Sequence, residues 1–340
     1  MKSGTIQIIV IGVFIIFIIA AVIIFSMSRS GNSGQANQNV KVVIWGTIPE
    51  EKFMPTVERA NTEFPGSVNL SYKYKDAITL QNDLTAALLD GKGYPDGLLI
   101  PHSLLITLQK RLTLIAWTAV SERDLKNNYA EAGEIFFTPS GTYAIPFLID
   151  PLVLYWNRDI FNSQGITNPP AQWQDLEGLV TRFTELNENK TVRKSMIALG
   201  EYQNVPHAKA ILSALALQVG SRFISWNGDK LSLDMQIKPE GSEDNPHESA
   251  LLFFAQFSNP NNPLYSWTRA MPNAEQFFLQ GDSAMYIGFG SEAQDLRAKN
   301  PNLNFDIALL PQAKSSGNLK RTYGEVYGLT IVNASLHKEA

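Results

Sequence analysis

The chain of 340 residues contains no cysteine. This absence excludes disulfide bonds, thiolate metal sites, a cysteine nucleophile and a lipid-modified N-terminal cysteine. Charge is also sparse, since Asp, Glu, Lys and Arg make up 18% of the residues and the formal net charge is −4. There is no block of basic residues, so the charge pattern argues against nucleic acid as a partner.

The sequence also lacks the usual motifs of catalysis and metal binding. It contains no Walker-A sequence, no H-E-x-x-H pair and no G-x-S-x-G turn. Four histidines are present, and none has the spacing of a metal ligand: His102, His207, His247 and His337. We therefore expect no metal, no cofactor and no enzymatic activity.

An uncharged apolar run covers Ile6 to Met27, with the sequence IQIIVIGVFIIFIIAAVIIFSM. As an α-helix the run would be about 33 Å long, enough to cross a hydrocarbon core of about 30 Å. We predict that residues 1–28 form a transmembrane anchor and that residues 29–39, rich in Gly, Ser, Asn and Gln, form a flexible linker. A long cleavable signal peptide is the alternative. The anchor would hold a single-pass protein in the cell membrane, with its globular body on the extracytoplasmic side.

Residues 40–149 alternate strand-like and helix-like segments, from the β-branched run VKVVIWG onwards to GLLIP, which ends at Pro101. This order is typical of an α/β layer with a mainly parallel sheet. Residues 150–303 have more helical segments and shorter strands, which indicates a second lobe. The run FDIALLP then predicts that residues 304–340 return to the first lobe. A chain that leaves one lobe and comes back to it forms a hinge with a cleft.

The same patterns predict two elements over most of their length. Ala77 to Leu89 is predicted as an amphipathic helix that stops at Gly91, and SAMYIGF, residues 283–289, is predicted as a strand.

Three local features are predicted in the second lobe. Helices are expected from Trp173 to Leu186 and from Glu292 to Lys299, and Ser291 can cap the latter. The sequence Trp226-Asn227-Gly228-Asp229 predicts a hairpin, with Asn-Gly able to take the positive φ values of a type I′ turn.

The run PFLIDPLVLYWNRDIF is strand-like but is interrupted by Asp150 and Pro151. We interpret this interruption as the crossing between the two lobes. Pro151 needs no ladder N–H at a crossing. Asp150 would face a ligand there, so its carboxylate need not be buried without a partner.

Aromatic residues lie where predicted strands end or in the loops near them. Trp45 and Phe289 end strands, and Tyr202 and Tyr323 lie in loops. Because ligands of α/β sheets bind outside the carboxyl ends of the strands, these side chains are candidates for a binding site. Aromatic faces with nearby carboxylates and amides suit a sugar. The glycine-rich turn at residues 288–291 is either a tight turn alone or a place where backbone amides bind an anion or a ligand hydroxyl.

Five segments carry a family likeness, in this order: VVIWG, LTAALLDGKGYPDGLLIP, PFLIDPLVLYWNRDIFNSQGITNPPAQWQDL, AEQFFLQGDSAMYIGFGSEAQDL and GEVYGLTIVNASLHKEA. They resemble segments of the extracellular solute-binding proteins of ABC transporters, in the sugar-binding branch that includes maltose-binding protein. The likeness covers nearly all of residues 40–340. A single segment is weak, whereas five in the right order are fairly specific.

The resemblance implies an α/β, two-lobed periplasmic-binding-protein-like fold of type II, attached to the predicted N-terminal transmembrane helix. It implies that the lobes close on a small-molecule solute, a carbohydrate, and that ABC permease subunits are the partners. Phe289 would stand where many relatives have a tryptophan. The positions that the resemblance carries over to a ligand site are Trp45, Gly46, Pro101, His102, Ser103, Asp150, Glu201, Tyr202, Asn204, Phe289, Gly290, Ser291, Tyr323 and Glu325.

The chain departs from the family in two respects. Relatives are usually lipid-anchored or free in a periplasm, whereas this chain has a long apolar run near its start. Relatives also continue for several helices beyond the position of Ala340. The resemblance therefore indicates a C-terminally truncated member or a fragment.

Three other functions stay open at this point. Another solute, such as a polyamine or a peptide, could bind if Trp45, Asp150, Glu201 and Tyr202 held an ammonium group. An anchored glycoside-acting enzyme would use Asp150 and Glu201 as acid and base. A surface sensor or adhesive domain would keep the fold with a degenerate cleft.

Overall fold

The computed structural model describes residues 40–63, 68–221, 224–233, 245–314 and 319–338. The chain divides into two compact units. The first, unit 1, runs to Ile149, includes the short piece Gly228–Lys230 and resumes at Glu325. The second, unit 2, comprises Asp150–Asn227 and Leu231–Gly324.

The predicted transmembrane run at residues 6–27 lies outside the described residues. In the part of the chain that the structure describes, no helix combines the length and the apolar character needed to span a bilayer.

The secondary structure alternates strands with mostly short helices. The strands are β1 (Val40–Gly46), β2 (Val68–Tyr74), β3 (Gly97–Pro101), β4 (Ile115–Ala116), β5 (Phe137–Thr138), β6 (Gly141–Thr142), β7 (Ile145–Asn157), β8 (Glu185–Leu186), β9 (Val192–Ile197), β10 (Ile224–Asn227), β11 (Lys230–Leu233), β12 (Ser283–Phe289), β13 (Phe305–Ala308) and β14 (Gly324–Ile331). The α-helices are α1 (Glu50–Glu63), α2 (Ala77–Asp90), α3 (Leu105–Leu108), α4 (Glu122–Asn128), α5 (Arg158–Ser163), α6 (Glu177–Phe183), α7 (Ala208–Gln218), α8 (Pro246–Gln256), α9 (Ala274–Leu279) and α10 (Ala293–Lys299).

In unit 1, β1 lies between β2 and β3 and is parallel to both, while β14 is antiparallel to β3. The predicted strand–helix–strand order over residues 40–101 is therefore confirmed. Helix α2 begins after Asp76, because the Asp76 side chain accepts hydrogen bonds from the N–H groups of Ile78 and Thr79 and so caps the first turn. Gly91, with φ of 68°, ends the helix in the left-handed conformation that glycine tolerates. The core under β1 includes Phe53, Val57, Ile44, Tyr72 and Leu99.

In unit 2, the strand order is β7, β12, β9, β8, and β13 pairs with β7 as well. Strand β12 is antiparallel to β7 and parallel to β9. The first six residues of β12 are all buried, which is why its sequence SAMYIGF is a nearly continuous apolar run. Large aromatic side chains that are fully buried fill the core around this sheet, namely Tyr155, Phe161, Trp267, Phe278 and Tyr286.

Four local predictions differ from the structure. The helix expected from Trp173 to Leu186 ends at Phe183, and residues 185–186 pair with β9 as β8. The predicted hairpin forms between β10 and β11. Gly228 has a positive φ of 59° and Asn227 does not, so the prediction of a type I′ turn on Asn-Gly was wrong. Ser291 does not cap the helix that follows, because it lies inside the short 3-10 helix Gly290–Glu292 and Glu292 occupies the N-cap position of α10.

The fourth difference concerns the return of the chain to the first lobe, which the sequence predicted at residue 304. In the structure β13 pairs with β7, so residues 304–324 lie in unit 2. The chain enters unit 1 again at Glu325, one residue into β14. The crossing predicted at Asp150 coincides with the boundary between Ile149 and Asp150.

Candidate functional site

The carboxyl ends of β1 and β3 meet at one edge of unit 1, because these strands are parallel and Gly46 lies opposite Leu99. His102 follows β3 directly and begins a short 3-10 helix. The backbone N–H of Val326 donates to His102 Nδ1 at 3.2 Å, which brings the start of β14 and its Glu325 to the same place. We call Gly46, Thr47, His102, Ser103 and Glu325 the unit 1 edge.

Trp45 is a poor candidate for direct stacking on a ligand in this structure, because its side chain is only 7% exposed. Lys75 Nζ lies 4.4 Å from the centroid of the indole ring, in a cation–π contact. The same ammonium group forms a salt bridge with Asp83. The structure therefore places Trp45 in the core under the unit 1 edge, with Lys75 against one ring face.

Gly46 is required by close packing. A Cβ atom at this position would lie 2.6 Å from the Tyr72 hydroxyl oxygen and 2.8 Å from the Leu99 carbonyl oxygen. The Tyr72 hydroxyl cannot easily move, since it donates to the Ile48 carbonyl at 2.6 Å and accepts from the Ile48 N–H at 3.1 Å. Burial, the largest influence, raises the pKa of Tyr72 well above its ordinary value, so the hydroxyl stays a donor at neutral pH.

We expect Gly46→Ala to lower the free energy of unfolding by about 2 kcal/mol, because the added methyl group overpacks a region held by backbone hydrogen bonds. Urea unfolding measures the change. Gly178→Ala is the matched control, since Gly178 lies within α6 with open space around it. In that helix alanine should stabilise by about 0.5–1 kcal/mol. Equal effects at the two glycines would contradict the close-packing explanation.

Three predicted residues meet at the carboxyl end of β12 in unit 2. Phe289 lies opposite Leu152 of β7, which brings Asp150 close to the turn that follows β12. The Ser291 N–H donates to Asp150 Oδ1 at 3.0 Å. The glycine-rich turn thus does bind an anion through a backbone amide, and that anion is the Asp150 carboxylate.

Tyr323 joins this cluster from another segment. Its ring centroid lies 6.4 Å from that of Phe289, and its carbonyl accepts the Leu152 N–H at 2.8 Å. The Tyr155 hydroxyl donates to the Phe289 carbonyl at 2.6 Å and so fixes the backbone at the end of β12. We call Asp150, Phe289, Gly290, Ser291 and Tyr323 the unit 2 edge.

The loop at residues 198–207 follows β9, whose direction is the same as that of β12, so it leaves the sheet at the same side. Tyr202 is 70% exposed and Glu201 is half-buried. Glu201 accepts a hydrogen bond from Arg269 Nε at 3.2 Å, in an ion pair that the sequence did not predict. The loop thus presents an exposed aromatic side chain and a carboxylate whose charge is already paired.

Asn204 is committed to the protein itself. Its amide nitrogen donates to the carbonyls of Thr268 and Met271, each at 3.0 Å, and its amide oxygen accepts the Trp267 indole N–H at 3.0 Å. These three bonds use both donors and one acceptor site of the side chain. The structure therefore shows Asn204 fixing the 198–207 loop to the segment at residues 267–271.

Two further residues of this region were missed by sequence reasoning, His207 and Glu292. His207 Nε2 lies 2.8 Å from Glu292 Oε1, and Glu292 Oε2 accepts the Tyr286 hydroxyl at 2.7 Å. Burial would raise the pKa of Glu292, but the hydrogen bonds from His207, Tyr286 and the Phe289 N–H outweigh it and hold the pKa below its usual value. The Glu292 carboxylate makes the glutamate half of a capping box with the Phe289 N–H, but position 289 is not Ser or Thr, so the usual sequence signature does not point to it.

Within the described ranges, no group of three His, Asp or Glu side chains is arranged to hold a metal ion. Unit 1 presents an edge of polar side chains that includes the His102 imidazole, and unit 2 presents an edge at which polar and aromatic side chains follow the strand ends. Each edge combines hydrogen-bonding groups with at least one planar ring. Such a combination suits a site for a small polar organic molecule.

Comparisons with known proteins agree with this architecture. Residues 48–340 match the family model of the bacterial extracellular solute-binding proteins. Binding proteins of Brucella abortus (strain 2308) and Brucella suis biovar 1 (strain 1330) are 22% identical over 210 residues, which is 61% of this chain and 47% of theirs. The chain thus spans about half the length of these relatives.

Solved structures resemble the chain over most of its length. The maltose/maltodextrin-binding domain MalE from Bdellovibrio bacteriovorus, bound to maltotriose, has a TM-score of 0.61 at 16% identity over 88% of this chain and 74% of that one. The galacto-N-biose-/lacto-N-biose I-binding protein of the ABC transporter from Bifidobacterium longum has a TM-score of 0.65 at 16% identity over 91% and 74%. These likenesses show the α/β solute-binding-protein fold, and with the family match over residues 48–340 they establish that the chain belongs to the bacterial extracellular solute-binding proteins.

Proposed function

We propose that this protein is the extracytoplasmic substrate-binding subunit of an ABC importer and that its ligand is a sugar or an oligosaccharide. The observation that carries the proposal is the unit 2 edge, where a carboxylate, an aromatic ring and backbone amides meet at the end of β12. Phe289 is half-buried, so part of its ring can receive the C–H face of a sugar. Asp150 uses one oxygen on Ser291 and has lone pairs left for a ligand hydroxyl.

The charges at the unit 2 edge favour a neutral ligand over a polyamine. Glu201, on the neighbouring 198–207 loop, is already paired with Arg269, so of the two candidate carboxylates Asp150 is the one left to pair with an ammonium group. A polyamine would need carboxylates that are free to pair with its ammonium groups. The names of the structural neighbours support the same ligand class, since one is bound to maltotriose and another is bound to mannotriose.

The mechanism we propose is ligand-driven closure. The unit 1 edge and the unit 2 edge would contact one ligand, which stabilises the closed state by the difference in its affinity for the two states. The ABC permease would recognise that closed state, and residues 1–28 would tether the protein to the membrane. Both the closure and the anchor are part of the proposal.

The test is a ligand panel on the full chain in detergent, read by thermal shift and isothermal titration. The panel contains maltotriose, mannotriose, lacto-N-biose, spermidine and a tripeptide. Saturable stabilisation by a sugar, about 2.7 kcal/mol at a hundredfold excess over Kd, is expected. Product analysis accompanies it, because turnover of a glycoside would overturn the binding-protein proposal. Stabilisation by spermidine or peptide alone, or by no compound, would overturn the sugar proposal.

Asp150→Ala is expected to weaken sugar binding about tenfold to a hundredfold, because a charge-assisted hydrogen bond to the ligand is lost. The fold should change little, since the Ser291 N–H that Asp150 accepts is exposed and water can replace the carboxylate. Titration calorimetry measures the affinity. Asp306→Ala, an exposed carboxylate on β13, is the matched control and should bind normally. Unchanged affinity with a large loss of stability would make Asp150 a structural residue.

A further inference from the structure

One carboxylate of unit 2 lies behind the proposed ligand surface and holds several parts of it. Glu292 is only 21% exposed at its side chain. Its Oε1 accepts the Phe289 N–H at 2.7 Å and lies 2.8 Å from His207 Nε2. Its Oε2 accepts the Tyr286 hydroxyl at 2.7 Å. Two groups of β12 and one from the end of the 198–207 loop thus converge on one side chain.

The contact with His207 joins the two ligand loops of unit 2. His207 is the last residue of the loop at residues 198–207, which also carries Glu201 and Tyr202. Its ring also meets the Phe289 ring edge-on, with the centroids 4.9 Å apart. The 198–207 loop and the turn after β12 are therefore tied together by a hydrogen bond and a ring contact, both within reach of Phe289.

Gly288 leaves the space that Glu292 occupies. A Cβ atom on Gly288 would lie 2.7 Å from Glu292 Oε2 and 2.6 Å from Tyr286 Cε1. The φ angle of Gly288 is not among the positive values, so an alanine could adopt its backbone conformation. A methyl group at this position would displace the flexible carboxylate and also press on the buried Tyr286 ring, while Glu292 itself stays in the sequence.

We propose that Glu292 is a positioning residue for ligand binding: its carboxylate joins the 198–207 loop to the turn after β12 and so sets the orientation of Phe289. The proposal rests on the proposed function, in which Phe289 contacts the ligand. Glu292 itself lies behind the ring and acts through His207 and Phe289.

The three contacts favour a carboxylate at this position. An ionised carboxylate accepts hydrogen bonds on both oxygens, which matches the three groups that converge here. A glutamine would present one acceptor oxygen and an NH2 group. With that NH2 group toward Tyr286, the hydrogen bond between them would reverse and the phenol oxygen would accept, while the bonds from His207 and the Phe289 N–H would lose the negative charge that strengthens them.

The experiment compares Glu292→Gln and Gly288→Ala with two controls on the full chain. Both variants should weaken maltotriose binding at least tenfold, and both should speed amide hydrogen exchange in residues 198–207 and 288–292. Glu275→Gln is the control for the charge change, because Glu275 is 28% exposed and pairs with Lys299 at 2.5 Å. Gly178→Ala is the control for the added methyl group. Neither control should alter the affinity or the exchange of these two segments.

Variants of His207 provide a rescue that a role in global stability would not show. His207→Gln keeps a donor that can reach Glu292 and should retain most of the affinity, whereas His207→Leu should behave like Glu292→Gln. Faster exchange throughout unit 2, or equal affinity in the glutamine and leucine variants, would overturn the positioning role.

Hydrogen exchange separates this inference from the proposed function, because it needs no ligand. Coupled exchange of the two segments without sugar binding by the native protein would reject the sugar proposal and keep the connection through Glu292. Sugar binding by the native protein with unchanged exchange and affinity in Glu292→Gln would reject the positioning role and keep the sugar proposal.

Discussion

Phe289→Ala is expected to weaken sugar binding about a hundredfold, which corresponds to about 2.7 kcal/mol. The ring is the half-buried aromatic surface at the end of β12. It contacts the rings of His207 and Tyr323, and the hydrogen bond from Tyr155 to the Phe289 carbonyl fixes the backbone that carries it. A ring that is already fixed loses little conformational entropy when a sugar packs against it. Its removal takes away both the apolar contact area and this preorganisation.

Phe289→Trp separates the stacking surface from the particular side chain. Tryptophan keeps a flat aromatic face and adds an N–H donor, so its affinity should equal or exceed that of the native protein. Leu252→Ala is the surface control, since Leu252 lies on α8 and is 60% exposed. Isothermal titration with maltotriose measures all three. Native affinity in Phe289→Ala would remove Phe289 from the binding site, whatever the other variants show.

The parts of the fold that sequence patterns predicted best depend on neighbouring residues alone. Helix α2 has an aspartate that caps its first turn and a glycine that ends it, and both signals lie within the segment itself. Strand β12 was predicted over its full length because it is buried on both faces and reads as one apolar run. Local chemistry was enough for these elements.

Where prediction failed, a partner from elsewhere in the chain determined the structure. Residues 185–186 leave the predicted helix because β9 offers them a hydrogen-bonding edge. The strand at Phe305–Ala308 stays in unit 2 because β7 has an edge that accepts it. Neither edge is visible in the sequence of the segment that binds to it.

The residues of the candidate site show the same difference between local signals and distant partners. Asp150, Phe289 and Ser291 could be proposed from strand ends and a family likeness, and the structure brings them together. Trp45 and Asn204 were also proposed. The Trp45 ring is in contact with Lys75, however, and the Asn204 side chain accepts a hydrogen bond from Trp267. His207 and Glu292 were missed because their contact joins two loops that are far apart in the sequence.

Trp267→Ala is expected to lower the free energy of unfolding of unit 2 by about 3–5 kcal/mol. The side chain is 0% exposed and packs edge-on against Phe277, with the ring centroids 5.5 Å apart. Its indole N–H donates to Asn204 Oδ1. The substitution would therefore leave a large cavity and remove one of the hydrogen bonds that fix the 198–207 loop.

Trp267→Phe distinguishes these two contributions. Phenylalanine fills much of the cavity but cannot donate, so the loss should fall to about 1–3 kcal/mol, the cost of leaving the Asn204 oxygen without its partner. Urea unfolding gives the free energies, and hydrogen exchange shows whether the loss is confined to unit 2. Because Asn204 keeps its bonds to the carbonyls of Thr268 and Met271, sugar affinity should fall less in Trp267→Phe than in Glu292→Gln. If Trp267→Phe were as unstable as Trp267→Ala, the hydrogen bond to Asn204 would be the dominant contribution, and the 198–207 loop would depend on it more than on packing.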